Sequence, residues 1–128
     1  MKKLFTALVI ATALFACKKE QKRGTEQVLP AAFEKEMTAD AGQLIDVRTP
    51  KEYSEGHLNG AKNLHIYDND FITRLDSLDK DETVYIYCKA GGRSAEAVET
   101  LESKGFKHIV ELEGGMDAWK EAGKPVKQ

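Results

Sequence analysis

The run Val84-Tyr85-Ile86-Tyr87 passes through Cys88-Lys89-Ala90-Gly91-Gly92-Arg93 straight into Ser94-Ala95-Glu96-Ala97-Val98-Glu99-Thr100-Leu101. The first segment is β-branched and aromatic throughout, as in a buried strand, and the last has the apolar spacing of a helix. Similar strand and helix patterns alternate along the rest of the chain, which indicates an α/β fold with a small parallel sheet flanked by helices on both faces. In such sheets ligands gather at the carboxyl ends of the strands, and Cys88 stands at one of them.

Cys88 is therefore the first candidate for chemistry. Gly91 and Gly92 permit backbone conformations closed to other residues, so the loop amides can turn inward as a small anion-binding nest. The positive end of the following helix, with Lys89 and Arg93, predicts a thiol of lowered pKa and a reactive sulfur. Taken singly, each feature has a structural explanation: a cysteine ending a strand is often a small buried hydrophobe, and Gly-Gly is often a plain turn. Strand, cysteine, glycines, arginine and helix start in one run favour a nucleophile.

Other elements are placed by the same patterns. Val28-Leu29-Pro30 reads as a short first strand, Ala31 to Met37 as a helix, and Gln43 to Arg48 as a second strand. Thr49 as N-cap, Pro50 at the first helical position and Glu52 three residues after the cap predict a short helix ended by Gly56. A turn at His57 to Gly60 leads to a third strand over Ala61 to Ile66. Phe71, Ile72, Leu75 and Leu78 then form a helical stripe, read as core contact. His108 to Leu112 is the last strand, and Met116 to Ala122 a closing helix in which Met116 and Trp119 are core or rim contacts. The three histidines lack zinc-ligand spacing, and His57 reads as support for its turn.

The 128 residues, 41% hydrophobic and 31% charged, suit one small domain with an appendage. A formal net charge of -2 gives no electrostatic reason to expect nucleic-acid binding. Met1-Lys2-Lys3 followed by an apolar stretch from Leu4 to Ala16 forms a secretory signal pattern, shorter than the roughly 20 apolar residues a membrane span needs. Leu14-Phe15-Ala16-Cys17 resembles a bacterial lipobox, which predicts lipidation of Cys17 as the first mature residue, though Phe15 stands where a smaller residue is usual. The expected organisation is a signal peptide over 1–16, lipidated Cys17 with a polar tether over 17–27, and the α/β domain over 28–126. Without residues 1–16 the charge becomes -4, because Lys2 and Lys3 are lost. The tether's basic residues either touch anionic headgroups or are simply solvated. The expected location is bacterial and exported, membrane-anchored through the N-terminal lipid and facing the periplasm. With Cys17 lipidated, Cys88 is the only free thiol and no internal disulfide is possible, so an unpaired cysteine in an oxidising compartment points to use.

The chain resembles the rhodanese homology domain in Leu44-Ile45-Asp46-Val47-Arg48-Thr49-Pro50-Lys51-Glu52-Tyr53, in Gly56-His57-Leu58-Asn59-Gly60-Ala61-Lys62-Asn63, and in Tyr87 to Ser94. The likeness continues through Gly105-Phe106 and Leu112-Glu113-Gly114-Gly115-Met116-Asp117-Ala118-Trp119. It implies a single-domain sulfurtransferase in which Cys88 takes a sulfane sulfur from a donor such as thiosulfate, becomes a persulfide, and passes the sulfur to a thiol or protein acceptor. It implies no metal and no organic cofactor. The loop residues Lys89, Ala90, Gly91, Gly92, Arg93 and Ser94 are expected to cradle the terminal sulfur. Arg93 either closes the loop or orients an anionic donor, and Lys89 either attracts such a donor or is solvated surface. Asp46, Arg48 and Glu52 are expected as scaffolding, with Asp46 paired to Arg93 and Arg48 to Glu52. A sulfur or redox relay acting only between proteins is the alternative from another class. A cysteine phosphatase or arsenate reductase fits less well, since those place five residues between nucleophile and arginine, and four separate Cys88 from Arg93.

Overall fold

The computed structural model describes residues 23–128. The stretch read as a signal peptide, Cys17 and most of the stretch read as a tether lie outside the described residues. A five-stranded parallel sheet has the order β1-β5-β4-β2-β3, built from β1 (Gly24–Val28), β2 (Gln43–Asp46), β3 (Lys62–Asn63), β4 (Val84–Tyr87) and β5 (His108–Leu112). Helices α1 (Pro30–Ala39), α2 (Pro50–Glu55), α3 (Phe71–Leu75), α4 (Gly92–Ser103) and α5 (Gly115–Glu121) connect and cover it. The α/β reading holds.

Side-chain alternation along the strands sorts the core into two layers. On one face Ile45, Val84, Ile86, Cys88 and Ile109 pack with Phe71, Leu75 and Leu78 and with Ala97, Val98 and Leu101 of α4. On the other, Tyr85, Tyr87, Val110 and Leu112 pack with Phe33 of α1 and with Met116 and Trp119 of α5. Every residue of β4 and β5 is buried, as expected for parallel strands covered on both sides. Cys88 thus continues the Val84-Ile86 face, and its side chain points under α4.

Three elements differ from expectation. The first strand starts at Gly24, inside the stretch read as tether, and Pro30 opens α1 instead of ending a strand. As an edge strand β1 keeps polar side chains, while its backbone pairs with β5 from Gly24↔His108 to Val28↔Leu112. The third strand shrinks to Lys62–Asn63, although Leu64 N–H and Ile66 N–H still donate to the carbonyls of Asp46 and Val47. Regular helix ends at Leu75, and i→i+3 bonds from Asp76, Ser77 and Leu78 tighten the chain so that Leu78 reaches the core. Ile72, counted in that stripe, is 49% exposed.

Candidate active site

β4 runs in the middle of the sheet, and its extension delivers Cys88 to the start of α4. The sulfur is enclosed, at 1% exposure, and the amide of Gly91 donates to Sγ at 3.0 Å. Gly91 holds that position with φ +120°, a conformation that side-chain-bearing residues rarely adopt. Gly92, by contrast, is the first residue of α4 and has no positive φ. The Gly91 amide is thus the loop donor bonded to the sulfur. Ser94, fully buried, lies beneath the loop with its Oγ 3.3 Å from Sγ.

The loop is clamped from its far side by α5. Met116 N–H donates to the Cys88 carbonyl at 2.8 Å and Asp117 N–H to the Lys89 carbonyl at 3.0 Å, so the first turn of α5 spends its orphan amides on the loop. Gly115 makes that approach possible: a Cβ there would stand 2.4 Å from the Cys88 carbonyl oxygen. The Gly-Gly pair at 114–115, given no site role in the sequence reading, is therefore part of the site.

Arg93 closes the loop, through a partner other than the expected one. Its guanidinium is bidentate to Glu52 of α2, both bonds at 2.9 Å. That hydrogen bonding holds the Glu52 carboxyl below its ordinary range, and raises Arg93 in return. Thr49 caps α2 as expected, accepting from Glu52 N–H at 3.1 Å. The pairing of Asp46 with Arg93 and of Arg48 with Glu52 is thus corrected: Arg48 folds back on Asp46, with Nη2 to Oδ2 at 2.7 Å, and donates to the Gly56 carbonyl at 2.7 Å. The reason is local. Asp46 is fully buried at the end of β2, and Arg48, two residues on, reaches it without crossing the sheet. Tyr87 Oη adds a 2.7 Å bond to Asp46 Oδ2 and accepts from Leu58 N–H. Burial, then the Asp46 charge, push the Tyr87 phenol far above its ordinary range.

Lys89 is exposed and paired with Asp117 at 2.9 Å. Ala90 is exposed beside it. His57 stacks on Tyr53 with ring centroids 3.8 Å apart and supports its turn as expected. Among the described residues, Glu26, Glu36 and His108 are the grouping of metal-ligand type, at the opposite end of the strands from Cys88. One site residue went unnoticed in the sequence: Glu111, a buried carboxylate whose Oε2 accepts from Ser94 Oγ at 2.7 Å. Its signal was a charge inside the otherwise apolar run Ile109-Val110-Glu111-Leu112.

A cysteine at the carboxyl edge of a parallel sheet, seated in a short amide loop at a helix start, makes Cys88 the candidate nucleophile of an α/β scaffold. The family profile of the rhodanese-like domain matches residues 29–122, and the chain belongs to that family. It is 35% identical over 83 residues to a sulfurtransferase of Allochromatium vinosum, covering 65% of this chain and 76% of the relative. It is 33% identical over 95 residues to thiosulfate sulfurtransferase 16, chloroplastic, of Arabidopsis thaliana, covering 66% and 79%. A crystal structure of a rhodanese-related protein from Thermoplasma volcanium superposes with a TM-score of 0.71 at 31% identity, over 80% of this chain and 97% of that one.

Proposed function

We propose that the protein is a sulfurtransferase that moves a sulfane sulfur from a small donor such as thiosulfate to a thiol or protein acceptor through a persulfide on Cys88. The observation that carries this reading is the seat of the sulfur, enclosed by the loop with the Gly91 amide 3.0 Å from Sγ. In the first half-reaction the Cys88 thiolate attacks the outer sulfur of thiosulfate, whose S–S bond breaks as sulfite leaves with the electron pair. In the second, an acceptor nucleophile attacks the terminal sulfur of the persulfide, and the Cys88 thiolate departs. Both steps are displacements at sulfur, balanced without a metal or an organic cofactor. Donors in the loop and the start of α4 stabilise the negative sulfur at each stage. Four residues between Cys88 and Arg93, with Arg93 engaged by Glu52, leave a cradle better suited to one sulfur atom than to a tetrahedral oxyanion. The relatives named as sulfurtransferases support the same reading.

Intact-mass spectrometry before and after thiosulfate tests it. A gain of one sulfur, about 32 Da, that cyanide removes and Cys88→Ser abolishes is the expected result. No adduct from thiosulfate or any small persulfide donor, on folded protein with an alkylatable thiol, overturns it in favour of the protein-to-protein relay. The proposal includes export and anchoring through lipid on Cys17, motivated by the Leu14 to Cys17 pattern. Full-length chain from a bacterial host should then begin at Cys17 and carry acyl mass, and retention of Met1 would rule that out. Soluble versions must begin before Gly24, since β1 is part of the sheet.

A further inference from the structure

Behind the thiol lies a carboxyl that the sulfur-transfer steps leave unused. Glu111 is 6% exposed in the interior of β5. Alternation turns it, like Ile109, to the α4 side of the sheet. Its Oε2 accepts from Ser94 Oγ at 2.7 Å, and its Oε1 faces Gln27 Nε2 of β1 at 3.4 Å. Opposite it on β4 stands Ile86. Among the described residues no charged side chain offsets its burial, which raises the carboxyl above its ordinary value, and only the Ser94 hydroxyl acts the other way. Burying an unpaired carboxylate is unfavourable, and an amide would satisfy Ser94 without that cost.

We propose that Glu111 is the proton acceptor for the Cys88 thiol, acting through Ser94. The proposal rests on Cys88 being the reacting group. Ser94 Oγ has one proton and two acceptors in reach, Glu111 Oε2 at 2.7 Å and the Gly91 carbonyl at 3.1 Å, and the carboxylate is the nearer. In the thiol state Cys88 S–H donates to Ser94 Oγ across 3.3 Å while Ser94 O–H donates to Glu111. As the S–H bond breaks, its proton binds Ser94 Oγ and the proton of Ser94 moves to Glu111 Oε2. The product is a thiolate accepting from Ser94, which in turn accepts from a neutral Glu111. One S–H bond is exchanged for one O–H bond, no electrons are transferred, and the total charge of the three groups is unchanged. Burial disfavours charge on either group, but a thiolate has the Gly91 amide at 3.0 Å and the start of α4 beside it, whereas Glu111 has no charged partner among the described residues, and this difference favours transfer toward thiolate.

Iodoacetamide alkylation, read at the Cys88 peptide of the full chain across pH, reports the thiolate with no sulfur donor present. A thiol and a carboxyl that share one proton hold a constant thiolate fraction over the window in which their total proton count is constant. The wild-type rate therefore rises in two steps with a shoulder between them. Glu111→Gln keeps the shape and an oxygen for Ser94 but accepts no proton, so the shoulder disappears and the rate near pH 6 falls roughly tenfold. Ser94→Ala removes the shoulder as well, and Ser94→Thr, which keeps the hydroxyl, restores it. If Glu111→Gln does not fold, the two Ser94 variants read the same relay. A Glu111→Gln profile that superimposes on wild type, or a shoulder that survives Ser94→Ala, overturns the proposal. A normal shoulder in a protein that takes up no sulfur would overturn the proposed function and leave the relay standing.

Discussion

Asp46 anchors the ground beneath the Cys88 loop with a set of bonds no other side chain reproduces. Its Oδ1 accepts from Arg48 N–H and Nε, and its Oδ2 from Arg48 Nη2 and Tyr87 Oη. Asparagine has nearly the same shape, but its amide would point N–H groups at donors and leave the Arg48 charge buried without a counter-ion. Removing one member of a buried ion pair costs about 3–5 kcal/mol, far above the effect of losing a surface pair. Asp46→Asn is expected to lose that much in urea unfolding. A loss below about 1 kcal/mol would mean that the Gly56 carbonyl alone satisfies Arg48 and that the ion pair contributes little. The residue types of this network were legible in the sequence, since a charge ending an apolar strand must have a buried purpose. The pairing was not, because strand periodicity says which edge of the sheet holds Asp46, Arg48, Glu52 and Arg93, and not which side chain folds back on its own strand.

Between elements, the decisive contact is the docking of α5 on the Cys88 loop. Gly115 has φ +57°, and a Cβ on it would meet the Cys88 carbonyl oxygen at 2.4 Å and the Lys89 carbonyl oxygen at 2.7 Å. Both are backbone atoms, so relief requires moving the loop or the helix. Gly123 provides the control, with φ +71° and no atom near its missing Cβ. Gly123→Ala should show left-handed strain alone, roughly 1–2 kcal/mol. Gly115→Ala should add overpacking of roughly 1–3 kcal/mol and, unlike the control, slow sulfur loading of Cys88. Equal unfolding free energies and equal loading rates in the two variants would show that the loop yields freely to α5. The element scale is also where sequence and structure agree best and diverge most plainly. β4 and β5 are legible because both faces are covered, which leaves continuous apolar runs, and α2 because Thr49 and Pro50 mark its start. β1 was hidden because an edge strand contributes backbone more than side chains, and Gly-Thr-Glu-Gln has the composition of a linker.

For the molecule as a whole, the two carboxyls that flank the loop give stability opposite dependences on pH. Glu52 lies below its ordinary value of 4.5, first because of the Arg93 hydrogen bonds. A lowered carboxyl stabilises the fold fully above 4.5, and that contribution is lost as pH falls through the folded value. Glu111 lies above 4.5, first because of burial, with Ser94 in partial opposition. Its folded form binds the proton more tightly than the unfolded chain does, so its contribution is full below 4.5 and is lost as pH rises through the raised value. Unfolding free energies of wild type, Glu52→Gln and Glu111→Gln, measured in urea from about pH 2.5 to 8, separate the two. Asp76 and Asp81, lowered by Lys104 and Lys107, act alike in all three proteins and cancel in the differences. The deficit of Glu52→Gln should be widest near neutrality and close on acidification. Glu111→Gln should instead gain on wild type as pH rises, then level off once Glu111 is ionised. A Glu111→Gln difference that stays flat over the whole range would mean that the carboxyl is solvated in the folded protein, and would remove the driving force for the Ser94 relay along with the pH dependence.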